Sequence, residues 1–172
     1  MSAPLVVVGG PSGVGKTTVG ELLASALQIA FCDADDLHSA ENIARMRAGM
    51  GLDDAARAPW LARVGSWLAE HQQQGGVVAC SALAQRYRKT LRVAAPQVRF
   101  AMLRADMDEL AARLEQRQGH FMAVGLLAQQ MALYEPPASG EPAAEFDAGP
   151  GPRVTVGRIA EWLAADLPTS FN

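Results

Sequence analysis

The sequence predicts an α/β fold, a three-layer α/β/α arrangement in which a parallel sheet is covered by helices on both faces. Three observations carry this reading. Short apolar runs alternate with helical patterns along most of the chain, as parallel strands joined by crossover helices require. Leu5-Val6-Val7-Val8 stops at a glycine-rich turn, and Val19, Leu22, Leu23, Ala26 and Leu27 then recur at helical spacing. Between them, Gly10, Gly15, Lys16 and Thr17 satisfy the pattern G-x-x-x-x-G-K-S/T in full.

That pattern has a chemical reason. Glycines at 10, 13 and 15 let the backbone wrap closely around a phosphate, where a β-carbon would block the turn or the approach. Backbone N–H groups and the start of the following helix then supply positive potential. Lys16 reaches the β- and γ-phosphates, and the Thr17 hydroxyl holds Mg²⁺. Gly10, Ser12, Gly13, Val14, Gly15, Lys16, Thr17 and Thr18 are therefore the expected nucleotide-binding residues, with ATP and magnesium as the expected ligands.

The remaining elements follow in order. Ile29-Ala30-Phe31-Cys32 predicts a short buried strand running into Asp33-Ala34-Asp35-Asp36-Leu37-His38. These acids emerge at a strand's carboxyl end, the edge at which open α/β sheets bind ligands. Residues 40–48 predict a helix stopped by Gly49. Asp53 or Asp54 caps a longer helix carrying Leu61, Val64, Trp67 and Leu68, and Gly75-Gly76 ends it. His71, near that end, reads as solvated. Val77–Cys80 predicts the next buried strand, after which Ser81 caps a helix with Arg86, Tyr87 and Arg88. Val98–Leu103 predicts a fourth strand, and Asp106 caps the helix of Met107, Leu110 and Leu114. A polar break from Arg113 to Met122 interrupts this helical region before helix resumes over Leu126–Tyr134. The proline- and glycine-rich residues 135–152 predict a loop with room for a short edge strand around Phe146. Val156, Ile159, Ala160, Leu163 and Leu167 predict a terminal helix.

Composition narrows the function. The 172 residues predict a single domain over 1–172 with a sizeable core. A net charge of −3 argues against broad nucleic-acid or anionic-membrane binding, so an anionic ligand must be held by local cations. No apolar run approaches the roughly 18 residues of a membrane span, and no leader pattern precedes Gly9, so the cytoplasm is expected. Cys32 and Cys80 read as reduced core thiols.

Phosphoryl transfer to an alcohol needs Mg²⁺ and a carboxylate near the attacking hydroxyl. Val77–Cys80 has no acid at its end, so Asp33 is the expected magnesium ligand, leaving Asp35 nearer the acceptor as base. At these residues the chain resembles the gluconate kinases (gluconokinases), small phosphate-loop kinases that phosphorylate D-gluconate on its 6-hydroxyl. The resemblance runs through Gly10–Thr17, Phe31–His38, Asn42–Gly49, Leu52–Leu61, Cys80–Leu83, Tyr87-Arg88, Gly119-His120-Phe121 and Glu135-Pro136, in that order. The acid-rich D-x-D-D-L-H block, R-x-P-W-L, C-S-A-L and G-H-F together are far more specific than the phosphate loop.

The resemblance implies a fold of the nucleoside-monophosphate-kinase and shikimate-kinase type, with an acceptor-binding helical segment near 38–74 and a mobile lid near 117–130. It assigns catalysis to Lys16, Asp35 and Arg117. It places His38, Arg45, Arg57, Arg88 and His120 with Asp35 around the acceptor, and Arg113 against adenine. Homodimers are frequent in the family. Three departures stand out: Ser39 replaces the family's usual proline, Gly51 and Ala55-Ala56 replace a proline and acids, and residues 138–152 bear little likeness. Two other readings compete. A shikimate kinase shares the loop and acid pair, but typically has a glycine-rich segment where this chain has Ser81-Ala82-Leu83. A nucleotide-dependent switch needs a partner surface that the sequence does not display.

Overall fold

The computed structural model describes residues 3–116 and 125–165. Five strands form one parallel sheet in the order β2-β3-β1-β4-β5. They are β1 (Leu5–Gly9), β2 (Ala30–Asp33), β3 (Gly76–Ala79), β4 (Arg99–Arg104) and β5 (Ala143–Asp147). Seven helices connect and flank them: α1 (Lys16–Leu27), α2 (Ala40–Arg47), α3 (Asp54–Glu70), α4 (Gln85–Ala94), α5 (Met107–Gln116), α6 (Gly125–Leu133) and α7 (Pro152–Ala165).

The alternation along β1 explains the layers. Leu5 and Val7 face one way, packing with Trp60, Val64 and Leu68 of α3 and Leu91 of α4. Val6 and Val8 face the other way, packing with Leu23 of α1, Leu110 of α5 and Ile159 of α7. A period of two on each strand thus feeds two separate cores, one per sheet face.

Several local signals act as the sequence predicts. Asp53 caps α3, its Oδ1 accepting the Ala56 N–H at 2.8 Å. Ser39, one of the departures and not expected as a cap, nevertheless caps α2 by accepting the Asn42 N–H at 3.1 Å. The edge strand at Phe146 is β5.

Other expectations are corrected. β2 is an edge strand with exposed and half-buried residues, because only β3 pairs with it. Cys32 is accordingly half-buried, whereas Cys80 is buried and its thiol is pushed up to about 12 by desolvation. Ser81 does not cap α4. Its carbonyl accepts the Gly10 N–H at 3.0 Å, and α4 begins after Ala84, which supplies no side-chain cap. Glu135, 50 residues along the chain, takes over, accepting the Gln85 N–H at 3.3 Å. His71 is not simply solvated: it stacks on Trp67 with ring centroids 3.8 Å apart and meets the Trp67 carbonyl through Nδ1 at 2.8 Å.

Candidate active site

The phosphate loop leaves β1, the strand between β3 and β4, and turns into α1. Gly10, Gly13 and Gly15 take φ values of 127°, 86° and 102°, the left-handed region that suits glycine. Gly15 is the N-cap of α1 and no side chain caps that helix. Among the described residues its first N–H groups thus carry no side-chain cap, as an anion site requires. The Lys16 ammonium donates to the Pro11 carbonyl at 2.9 Å, which folds it over the loop.

Asp33 closes the opposite side. Its Oδ2 accepts from the Thr17 hydroxyl at 2.8 Å, and its Oδ1 accepts the Asp35 N–H at 2.9 Å. The second bond caps the short 3-10 turn Ala34–Leu37, so one carboxylate both meets the loop and sets the position of Asp35. Ser12, Lys16, Thr17, Asp33 and Asp35 thereby share one small cradle. Thr17 and Asp33 present hard oxygen donors side by side. That set fits Mg²⁺, which keeps several waters and takes one or two protein oxygens plus phosphates. Among the described residues no cluster of three acids, histidines or cysteines forms a metal cage.

A larger cavity opens beside the cradle. Ser12, Lys16 and Asp35 belong to both, and its other walls include His38, Arg57, Trp60, Tyr87, Gln129 and Gln130. His38 stacks on Trp60 with centroids 4.3 Å apart and planes 9° from parallel. The Trp60 indole N–H donates to the Ala34 carbonyl at 2.7 Å, so the ring that carries His38 is itself fixed. Burial, then Arg63 and Arg57, push the His38 pKa down to about 4. Its imidazole is neutral at pH 7 and its buried Nδ1 has no partner among the described residues, which suits a hydroxyl ligand.

The lowered pKa has a signed consequence. The unfolded chain takes up a proton near pH 6.5 that the fold refuses until about 4. Stability is therefore undiminished above that range and falls as pH drops through it. Thermal unfolding of wild type and His38→Asn from pH 7 to 4.5 checks this: the wild type is expected to lose more stability on acidification.

Arg57 is held by its neighbours. Its guanidinium bonds to the Tyr87 hydroxyl and stands 4.6 Å from the Tyr87 ring centroid, with Arg86 at the same distance. Asp54 accepts from Tyr87 Oη at 2.7 Å and from Arg86 Nε at 3.0 Å, bonds that hold its carboxyl below the usual carboxylate range. The result is an arginine fixed at the cavity wall, the group a carboxylate ligand calls for.

Two expected acceptor residues lie elsewhere. Arg45 is off the cavity lining and pairs loosely with Glu41 one turn back, at 3.8 Å. Arg88 is also off it and wholly buried. It donates to Glu141 Oε2 at 2.8 Å, to the Ala82 and Leu83 carbonyls at 2.9 and 3.1 Å, and to the Glu135 carbonyl at 2.9 Å. Its donors are spent on tying the segment after β3 to the segment after α6, which is a structural task. Arg88→Met strands the Glu141 carboxylate and those carbonyls. It is expected to cost about 3 kcal/mol of stability, read as a lowered denaturation midpoint.

Arg113 donates to the Gly13 carbonyl at 3.2 Å and pairs with Glu109. It lines a separate cleft on the far side of the loop with Thr18, Gln116 and the Ala148–Pro152 turn. Arg117 and His120 lie outside the described residues. Sequence reasoning missed Tyr87, Asp54 and Arg86 as the frame around Arg57, and the turn after β5 as a cleft wall. It also missed Gln129 and Gln130 on α6. No local pattern marks them, since each acts through a partner far along the chain.

A phosphate loop opening onto a polar cavity, with a carboxylate at the junction, defines a small-molecule kinase. A family model described as Shikimate kinase matches residues 12–132. A gluconokinase of Gluconobacter oxydans is 39% identical, covering 94% of this chain and 92% of the relative. The thermosensitive gluconokinase of Escherichia coli is also 39% identical, covering 82% and 76%. The crystal structure of a gluconokinase from Sinorhizobium meliloti superposes with a TM-score of 0.81 at 37% identity, covering 95% of this chain and 97% of the other. Shikimate kinase from Aquifex aeolicus shares the fold, with a TM-score of 0.60 at 16% identity. The chain belongs to the gluconokinase family.

Proposed function

We propose that this chain transfers the γ-phosphate of ATP to the 6-hydroxyl of D-gluconate, giving 6-phospho-D-gluconate and ADP. The observation that carries this is the meeting of cradle and cavity at Asp35, with Lys16 on one side and Arg57 and His38 on the other. Gluconate is a carboxylate with a row of hydroxyls. Arg57 pairs with the carboxylate, neutral His38 bonds a hydroxyl, and Asp35 accepts the proton of the attacking hydroxyl. The 6-oxygen forms a bond to phosphorus as the bond to the bridging oxygen of ADP breaks, in line and without an enzyme-bound intermediate. Lys16 neutralises charge on the transferring group.

Thr17 and Asp33 would hold Mg²⁺, which would offset the charge on the phosphates. Arg113 and the turn after β5 enclose the adenine side. Residues 38–74 form the acceptor segment of one kinase domain; of the lid expected near 117–130, residues 117–124, with Arg117 and His120, lie outside the described residues. Among the described residues no helix is long and apolar enough to cross a membrane.

The test is ADP release with MgATP and D-gluconate, shikimate, other aldonic acids, or no acceptor. Release with gluconate alone and a 6-phosphorylated product is expected. Activity on another acid alone would reassign the pocket, and release indifferent to acceptor would remove the acceptor site.

A further inference from the structure

We infer that Gln130 is a positioning residue that ties the acceptor cavity to the phosphate loop and fixes the junction where the γ-phosphate meets the acceptor hydroxyl. The inference rests on the kinase reading above. Ser12 belongs to both the cradle and the cavity, so its backbone marks the boundary between the two substrates. Its N–H donates at 2.8 Å to Gln130 Oε1, 118 residues away on α6. A buried N–H left without a partner costs about 1–3 kcal/mol, so this amide carbonyl holds the acceptor-side shoulder of the loop.

The bond also orients the glutamine. Its carbonyl end is committed to Ser12. The neighbouring side chain bridges the other way. A β-carbon on Gly51 would lie 2.6 Å from Gln129 Oε1, so the loop before α3 packs directly against α6. Two consecutive amides thus touch opposite walls of the cavity, the acceptor segment through Gln129 and the phosphate loop through Gln130. Leu126 and Leu127, both buried, seat the helix that carries them. Gly51 is one of the family departures. Here it provides the close approach that a proline would fill.

The experiment compares wild type, Gln130→Met and Gln130→Glu, measuring kcat and KM for gluconate, MgADP affinity, and ATP hydrolysis without acceptor. A misplacement of the order of an ångström costs about 10²-fold in rate, and that loss in kcat is expected for Gln130→Met. MgADP affinity is expected to hold, because the Gln130 bond falls on the Ser12 N–H, at the acceptor-side edge of the loop. Acceptor-independent hydrolysis is expected to become a larger share of turnover as water gains the junction. Gln130→Glu keeps an oxygen acceptor for the Ser12 N–H and is expected to recover part of the kcat lost in Gln130→Met. An unchanged kcat in Gln130→Met, a Gln130→Glu no more active than Gln130→Met, or a loss of MgADP affinity in step with kcat each overturns the inference. If wild type does not turn over gluconate, the proposed function fails and takes this inference with it. Wild-type turnover with an unaltered Gln130→Met sinks the inference alone.

Discussion

Lys16→Ala is expected to lose phosphoryl transfer by about 10²–10³-fold or more in kcat, the scale seen when one preorganised charge-stabilising donor is removed from a reacting centre. The fold has little reason to follow. The ammonium donates across the loop to the Pro11 carbonyl at 2.9 Å, and such a bond is worth about 1 kcal/mol. Thermal unfolding is therefore expected within a few degrees of wild type, and steady-state ADP release separates the two effects. A folded Lys16→Ala that keeps its rate would remove the residue from the mechanism.

Asp35→Asn is expected to give the next largest effect. General-base assistance is worth about 10²–10⁴-fold, and an amide cannot accept the acceptor's proton. The side chain is nearly isosteric, and Asp35 meets Asp33 through its backbone N–H, so the turn that presents it survives. MgATP binding is then expected to persist while product formation collapses, with KM for ATP barely moved. Normal turnover in Asp35→Asn would reassign the base. Equal loss of nucleotide affinity would mean that Asp35 serves the metal rather than the acceptor.

What the sequence makes legible is what acts locally. The β1–loop–α1 unit is legible because its strand, its left-handed glycines and its helix start are contiguous. Asp33 and Asp35 are legible because a strand end and two acids fall within three residues. Arg57 and His38 are placed by resemblance, and the cavity contains both. What escapes is tertiary. Arg88 looks like any arginine on an amphipathic helix, yet its partners sit near residues 82, 135 and 141. Burial of β2 is overestimated because apolar letters cannot tell an edge strand from a central one. The Ser81 cap fails because a glutamate from beyond α6 fills that place. Gln130 carries no signal at all until α6 is laid against the loop.

Among the described residues, the two clefts on either side of the phosphate loop share no wall residue. One is built by α2, α3, α4 and α6, the other by α1, α5 and the turn into α7. Under the proposed function, donor and acceptor recognition are therefore separately heritable. Substitution at Gly51, Arg57 or Gln129 would then redirect the chain toward a new acid without retuning its nucleotide, while Ser12, Lys16 and Asp35, shared by the cradle and the acceptor cavity, have no such latitude.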